Sequence, residues 1–267
     1  MIRRFALAAT ALLCMAGAAA AADLPTKKAP EPPPPLPFSW TGFYVGGNLG
    51  VIDGRFADPI STTAFVGGFP FGPDSVPFSG FDNSLAGGVQ LGYRQQFQQL
   101  VLGAEANFDL MNLNRRVVNP APGTGHDVFI AGDNFAATAR WDSSIRGDLG
   151  YAWDRWLVYA TGGVAFTGVT MSSNFIATTV GAITFPASGG SDSKTLIGGT
   201  IGAGVAYALN DHWDVGAEYR FTDYGRAKFA LGTVAGGFFG GAFENVPATG
   251  SLSVQTQQVE LKVNYRF

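Results

Sequence analysis

Cysteine is almost missing from this chain: of 267 residues only Cys14 carries a thiol. It lies in a leader that is expected to be removed, so disulfides, thiol catalysis and thiolate metal sites are not expected in the mature protein. Histidine is nearly as scarce, with His126 and His212 alone. Charged residues make up only 14% of the sequence. Beyond the leader, no apolar run reaches the roughly 18 residues that a transmembrane helix needs. Glycine and phenylalanine, by contrast, are abundant, at 37 and 22 residues. Aromatic and glycine enrichment in short alternating segments is the composition of a membrane-spanning β-barrel.

Residues 1–22 read as a secretory signal peptide, with Arg3 and Arg4 as the positive start, an apolar stretch from Phe5 to Ala18, and Ala20-Ala21-Ala22 before an expected mature start at Asp23. Its apolar run is short and ends in alanines, unlike a membrane anchor, and no small residues precede Cys14 as a lipidation signal requires. Removing Arg3 and Arg4 from 17 basic residues leaves 15 against 20 acidic, a net charge of −5 that argues against nucleic acid as a partner. Residues 23–37 contain seven prolines, which deny the segment a hydrogen-bonded ladder and stiffen it into an extended periplasmic linker. Lys27 and Lys28 are its only cations, and a docking strip for peptidoglycan is the alternative to a plain spacer.

The third segment, 38–267, is expected to be the barrel. Its last strand is the clearest: Val259, Leu261, Val263, Tyr265 and Phe267 alternate with Gln258, Glu260, Lys262, Asn264 and Arg266. A period of two is a strand, and an apolar face opposite a charged one suits a wall between lipid and a polar lumen. Seven more strands follow from the same rule, starting near Trp40, Leu85, Leu100, Thr138, Trp156, Lys194 and Trp213. Phe43, Leu91, Leu102, Ile145, Ile201 and Tyr219 face lipid in this reading, while Arg140 and Asp142 face inward. The fifth strand, from Trp156, is apolar or small on both faces and its facing stays open. Long loops are expected over 53–83, 113–137, 172–192 and 226–250, and short turns at Phe97-Gln98-Gln99, Trp153-Asp154-Arg155 and Asn210-Asp211-His212. The fold class is therefore all-β: an eight-stranded antiparallel transmembrane β-barrel with four long outer loops and three short periplasmic turns. Both free ends lie at the periplasm, so the first and last strands pair and leave no open edge in lipid.

Aromatic residues gather beside the short turns and termini. Trp40, Tyr93, Tyr151, Trp153, Trp156, Tyr207 and Trp213 are expected to form the girdle where amphipathic rings settle at the membrane–water boundary. Tyr265 and Phe267 complete it and mark the chain for the barrel assembly machinery.

Several stretches together, Phe38-Ser39-Trp40-Thr41-Gly42-Phe43-Tyr44-Val45-Gly46-Gly47-Asn48-Leu49-Gly50, Ala86 to Tyr93, Arg146 to Ala152, Tyr159 to Ala165 and Glu218-Tyr219-Arg220-Phe221, resemble the 25–31 kDa major outer-membrane proteins of alphaproteobacteria, a branch of the OmpA-like and opacity-type barrels. The resemblance spans about 38–267 and departs from the family at Lys262, where the terminal strand usually has glycine, and at Asp148, where a second arginine is common. It implies a bacterial outer-membrane location and a structural, porin-like and often immunogenic surface barrel, with haem binding in some members. It implies no enzymatic activity.

The interior of an eight-stranded barrel is just wide enough for side chains to fill it. The facing above puts Glu105, Asp109, Asp148, Glu218 and Glu260 in the lumen with Arg94, Arg146, Arg220, Lys262 and Arg266, five acids against five bases. Charges away from bulk water need partners, so a balanced set reads as a salt-bridge plug. The alternative is a narrow, charge-lined channel for small solutes. Arg146-Gly147-Asp148 spells an adhesion tripeptide, but its mid-strand place turns both charges inward. His126 with Asp127 and Asp133 is a weak loop metal pattern, and His212 lies at the opposite membrane face, so the two histidines form no shared site. No nucleophile–base cluster and no cofactor motif is present. Lipid and lipopolysaccharide of the outer membrane are the expected surroundings, and the glycine- and phenylalanine-rich outer loops, such as Gly232 to Phe243 with Phe238 and Phe239, are the parts that would meet a host surface or haem.

Overall fold

The computed structural model describes residues 38–66, 69–120, 129–180, 183–235 and 245–267. The signal peptide and the proline-rich linker lie outside the described residues, as do His126, Asp127, Phe238, Phe239 and Phe243. Among the described residues twelve strands run β1 (Gly42–Ala57), β2 (Ile60–Val66), β3 (Phe69–Val76), β4 (Gly80–Phe97), β5 (Leu100–Val118), β6 (Asn134–Trp153), β7 (Trp156–Phe175), β8 (Thr178–Val180), β9 (Ile183–Phe185), β10 (Ser188–Ala208), β11 (Trp213–Ala235) and β12 (Asn245–Arg266).

Eight of them form one antiparallel ring in the order β1-β4-β5-β6-β7-β10-β11-β12, and β12 pairs back onto β1 from Tyr44↔Arg266 to Ala57↔Ser253. Closure satisfies every ladder edge, the condition for crossing lipid with strands. The other four are hairpins set into the outer loops: β2–β3, whose Ile60 to Thr62 extend the β12 edge at Gly250 to Ala248, and β8–β9.

The turns between neighbouring strands at the periplasmic end are short. Gln98 and Asp154 adopt positive φ, at 57° and 53°, and so reverse the chain within two residues between β4 and β5 and between β6 and β7. In the third turn the Asn210 side-chain oxygen accepts the N–H groups of His212 and Trp213, both at 2.9 Å, as a turn-forming asparagine does.

The strands are longer than their membrane-spanning pattern suggested. Much of what reads as loop in 53–83, 113–137, 172–192 and 226–250 is strand: β1 continues to Ala57, β5 to Val118, β7 to Phe175 and β11 to Ala235. The reason is an inversion of polarity along each strand. Within the belt, outward residues such as Leu49, Val51, Leu85, Val259 and Leu261 are apolar and exposed. One step further out on the same face stand Asp53, Asn83 and Gln257, paired as Asp53↔Gln257 and Asp53↔Asn83. Inward residues change the opposite way, from Asn48 to Ile52 and Phe56, and from Asp109 to Met111 and Leu113. Apolar-out becomes apolar-in at one level around the ring, and that level is the outer edge of the lipid. From Phe43 to Val51 the apolar face of β1 covers about 26 Å along the strand, or roughly 20 Å of membrane height at a usual tilt.

The fifth strand of the ring, β7, resolves the facing left open by sequence: Leu157, Tyr159, Thr161, Ala165 and Thr167 are buried, and Val158 and Val164 face out. One facing is corrected. A bulge between Ala139 and Asp142 shifts the β6 register, so Arg140 is exposed on the outer wall whereas Asp142 is buried inside.

Candidate functional site: the filled lumen

The lumen is filled in three tiers. At the periplasmic mouth Trp40, Val101, Ala152, Leu157, Tyr159, Ala206 and Ala208 form an apolar floor with Phe38 packed against it. Trp40 is the correction to the expected girdle: it is fully buried, not facing lipid. Its even number puts it on the lumen face of Tyr44, and Gly42, with φ of 149°, lets the chain fold under the mouth. The Trp40 backbone N–H then donates to Gln96 Oε1 at 2.7 Å. Arg266 lies 4.6 Å from the Phe38 ring centre and 5.4 Å from that of Trp40, and Arg94 lies 4.5 Å from Tyr44 and 5.5 Å from Tyr159. These two arginines are held by aromatic faces. No carboxylate of the described residues reaches them at ion-pair distance.

The middle tier is a closed ring of alternating charge. Arg146 bridges Glu105 and Glu218. From the other side Lys262 Nζ reaches Glu105 at 2.6 Å and Glu218 at 3.1 Å. Tyr44 and Tyr159 hydroxyls donate to the same two carboxylates, each at 2.8 Å. All four charged side chains are no more than 2% exposed. They come from β5, β6, β11 and β12, and each points inward because it shares strand parity with the lumen face. Above this ring Arg220 donates to Asp109 at 2.9 Å and lies 3.6 Å from Asp142 and 3.8 Å from Glu260. Side-chain amide hydrogen bonds of 2.8–3.0 Å run from Asp109 through Asn48, Gln90 and Asn264 to Asp214, and Asn107 donates to Asp109 at 2.6 Å.

All ten charged residues expected in the lumen are buried there, but the charge is not balanced five to five. Asp142 and Asp214 join them, so among the described residues seven carboxylates face five cations. Asp148 makes no ion pair with them among the described residues. The adhesion-like tripeptide is closed off, with Arg146 2% and Asp148 7% exposed.

The third tier escaped the sequence reading. Above the polar network Ile52, Phe56, Leu113, Phe135, Met171, Phe175, Phe229 and Leu252 belong to one apolar core, most of them fully buried. Phe129, Phe135 and Phe175 pack edge-to-face and stacked at 5.5–6.1 Å. Two-residue periodicity was the available signal, but it is hidden in stretches rich in glycine, proline and serine, and its sign is opposite to that of the belt.

On the outside, Tyr93, Tyr151, Trp153, Trp156 and Trp213 are 37–56% exposed at the periplasmic end, and Tyr207 is half-buried there. They pair as Phe43–Tyr93, Tyr151–Trp153 and Trp156–Tyr207, with ring centres 4.6–6.2 Å apart. Tyr265 packs between Trp213 and Phe267 at 5.2 and 5.3 Å, and His212 stacks on it at 5.6 Å. The Phe267 N–H donates to the Phe43 carbonyl at 3.0 Å, which ties the chain end to the first strand.

A closed ring of eight strands with a lipid-facing apolar belt is matched by the family model described as the outer membrane protein β-barrel domain, which covers residues 5–267. The chain belongs to this family. It is a bacterial outer-membrane protein, and its relatives include alphaproteobacterial members. A 31 kDa outer-membrane immunogenic protein of Brucella melitensis is 34% identical over 217 residues, 79% of this chain and 83% of that one. A 22 kDa outer membrane protein of Rhizobium leguminosarum is 29% identical over 78% of this chain and 74% of its own length. Among solved structures, the outer membrane protein OprG from Pseudomonas aeruginosa aligns with 86% of this chain and 99% of its own at 11% identity and a TM-score of 0.43.

Proposed function

We propose that this protein is a closed, non-enzymatic structural barrel that contributes to envelope integrity and presents its outer end to the surroundings. The carrying observation is the three-tiered lumen: an apolar floor, a salt-bridged middle and an apolar outer core. A continuous water path would have to cross two apolar layers and break charge pairs that are no more than 2% exposed. The immunogenic description of the Brucella relative supports surface presentation here too. In this reading the terminal Tyr265 and Phe267 are what the barrel assembly machinery engages, and residues 23–37 serve as a periplasmic spacer, with a docking strip for peptidoglycan as the alternative. Proteoliposomes carrying the mature chain should swell no faster in small sugars than empty liposomes. Swelling that falls with solute size would instead establish a porin-like channel.

A further inference from the structure

The bulge that turns Arg140 outward builds a groove on the outer wall of β6, β7 and β10. The groove has a volume of about 300 Å³ and is lined by Thr138, Arg140, Trp141, Thr170, Ser193 and Thr195 among others. Thr138 pairs with Thr170 and Thr170 with Ser193, so hydroxyls from three adjacent strands stand in a row. The Thr170 and Ser193 hydroxyls are 2.8 Å apart. Trp141 stacks on Phe108 at 6.1 Å, and Gly168 on the neighbouring strand leaves room for its indole, since a Cβ there would lie 2.6 Å from Trp141 Nε1. Neither the Arg140 guanidinium nor the Trp141 N–H has a hydrogen-bond partner among the described residues.

Height decides what such a groove meets. Below it the outward face is the apolar belt, with Phe108, Ile145 and Ile197 46–64% exposed. The groove therefore sits where acyl chains end and headgroups begin. A free, planar guanidinium is suited to phosphate, which it grips with two parallel hydrogen bonds. A flat indole and a row of hydroxyls suit a sugar ring, and tryptophan favours this interfacial depth. We propose that this groove binds the phosphorylated sugar headgroup of an outer-leaflet glycolipid. The inference rests on the outer-membrane location and not on whether the lumen conducts.

Native mass spectrometry of the mature chain folded in detergent micelles tests it. The probes are a bisphosphorylated diglucosamine lipid, the same lipid without phosphates, and phosphatidylglycerol, with inorganic phosphate as competitor. The bisphosphorylated lipid should bind best. Arg140→Gln should weaken it roughly tenfold, the loss of one charge-assisted contact, while Arg116→Gln, elsewhere on the outer wall, should leave it within about twofold. The fast-migrating, heat-modifiable band reports that each variant has folded. Should Arg140→Gln not fold, a headgroup-photoreactive form of the lipid on the unaltered chain should label residues 138–141 or 193–195. Unchanged binding by a folded Arg140→Gln, equal binding of phosphatidylglycerol, displacement by millimolar phosphate, or labelling elsewhere would overturn the assignment.

Discussion

Replacing Arg146 by methionine is the most informative perturbation of the lumen. Arg146 bonds both Glu105 and Glu218 from one side, and Lys262 is the only other cation that bonds them among the described residues. The substitution keeps much of the side-chain volume but leaves two carboxylates sharing one ammonium, at sites no more than 2% exposed. Removing one member of a buried charge set costs about 3–5 kcal/mol, because the remaining charge is left without compensation. The loss should appear in urea unfolding of the chain folded in micelles, followed by tryptophan fluorescence and by the heat-modifiable gel band. A fourfold variant, Glu105→Gln, Arg146→Met, Glu218→Gln and Lys262→Met, removes two charges of each sign. It should cost less than the single change, since charge-neutral replacement of a buried network is close to neutral. If Arg146→Met unfolds within about 1 kcal/mol of the parent, the ring is not a tightly held network and the reasoning fails.

Other consequences follow from the remaining tiers. Leu113→Ala in the outer apolar core should destabilise the fold by about 2–5 kcal/mol while leaving membrane insertion intact, as read by urea unfolding and by membrane fractionation. Trp40→Ala removes the centre of the periplasmic floor and the ring beside Arg266, so it should cost about 3–5 kcal/mol in the same unfolding assay; a loss below about 1 kcal/mol would return Trp40 to the lipid-facing girdle. Gly88→Ala should impair folding, because its Cβ would overlap the Phe108 carbonyl and the Asp109 carboxylate on β5, and normal yield of the heat-modifiable barrel would contradict this. Deleting Phe267 removes both the ring against Tyr265 and the hydrogen bond to Phe43, and normal levels of folded barrel in cells would refute its assembly role.

Inside the membrane the physics leaves a plain trace in sequence. Lipid demands an apolar residue at every second position, and the lumen rejects one, so β12 and β5 could be read residue by residue from Val259 to Phe267 and from Leu100 to Leu110. The short turns were equally legible, because polar pairs such as Gln98-Gln99 and Asp154-Arg155 interrupt the alternation between two apolar-faced strands. Above the lipid that contrast inverts. Asp53 and Arg55 face solvent while Ile52 and Phe56 fill the interior, and the glycines, prolines and serines that follow, from Pro59 to Gly80, look like loop. The strands there are held by the ladder and the apolar core, not by local preference. At Arg140 a single bulge resets parity, and no local residue announces it. Trp40 shares its parity with Tyr44 and so faces the lumen, although it stands beside the aromatic residues of the periplasmic boundary.

Planar-bilayer recording of the purified mature chain shows whether the lumen is closed. The closed account predicts little steady conductance across the usual range of applied potential. A stable pore on the nanosiemens scale would contradict it.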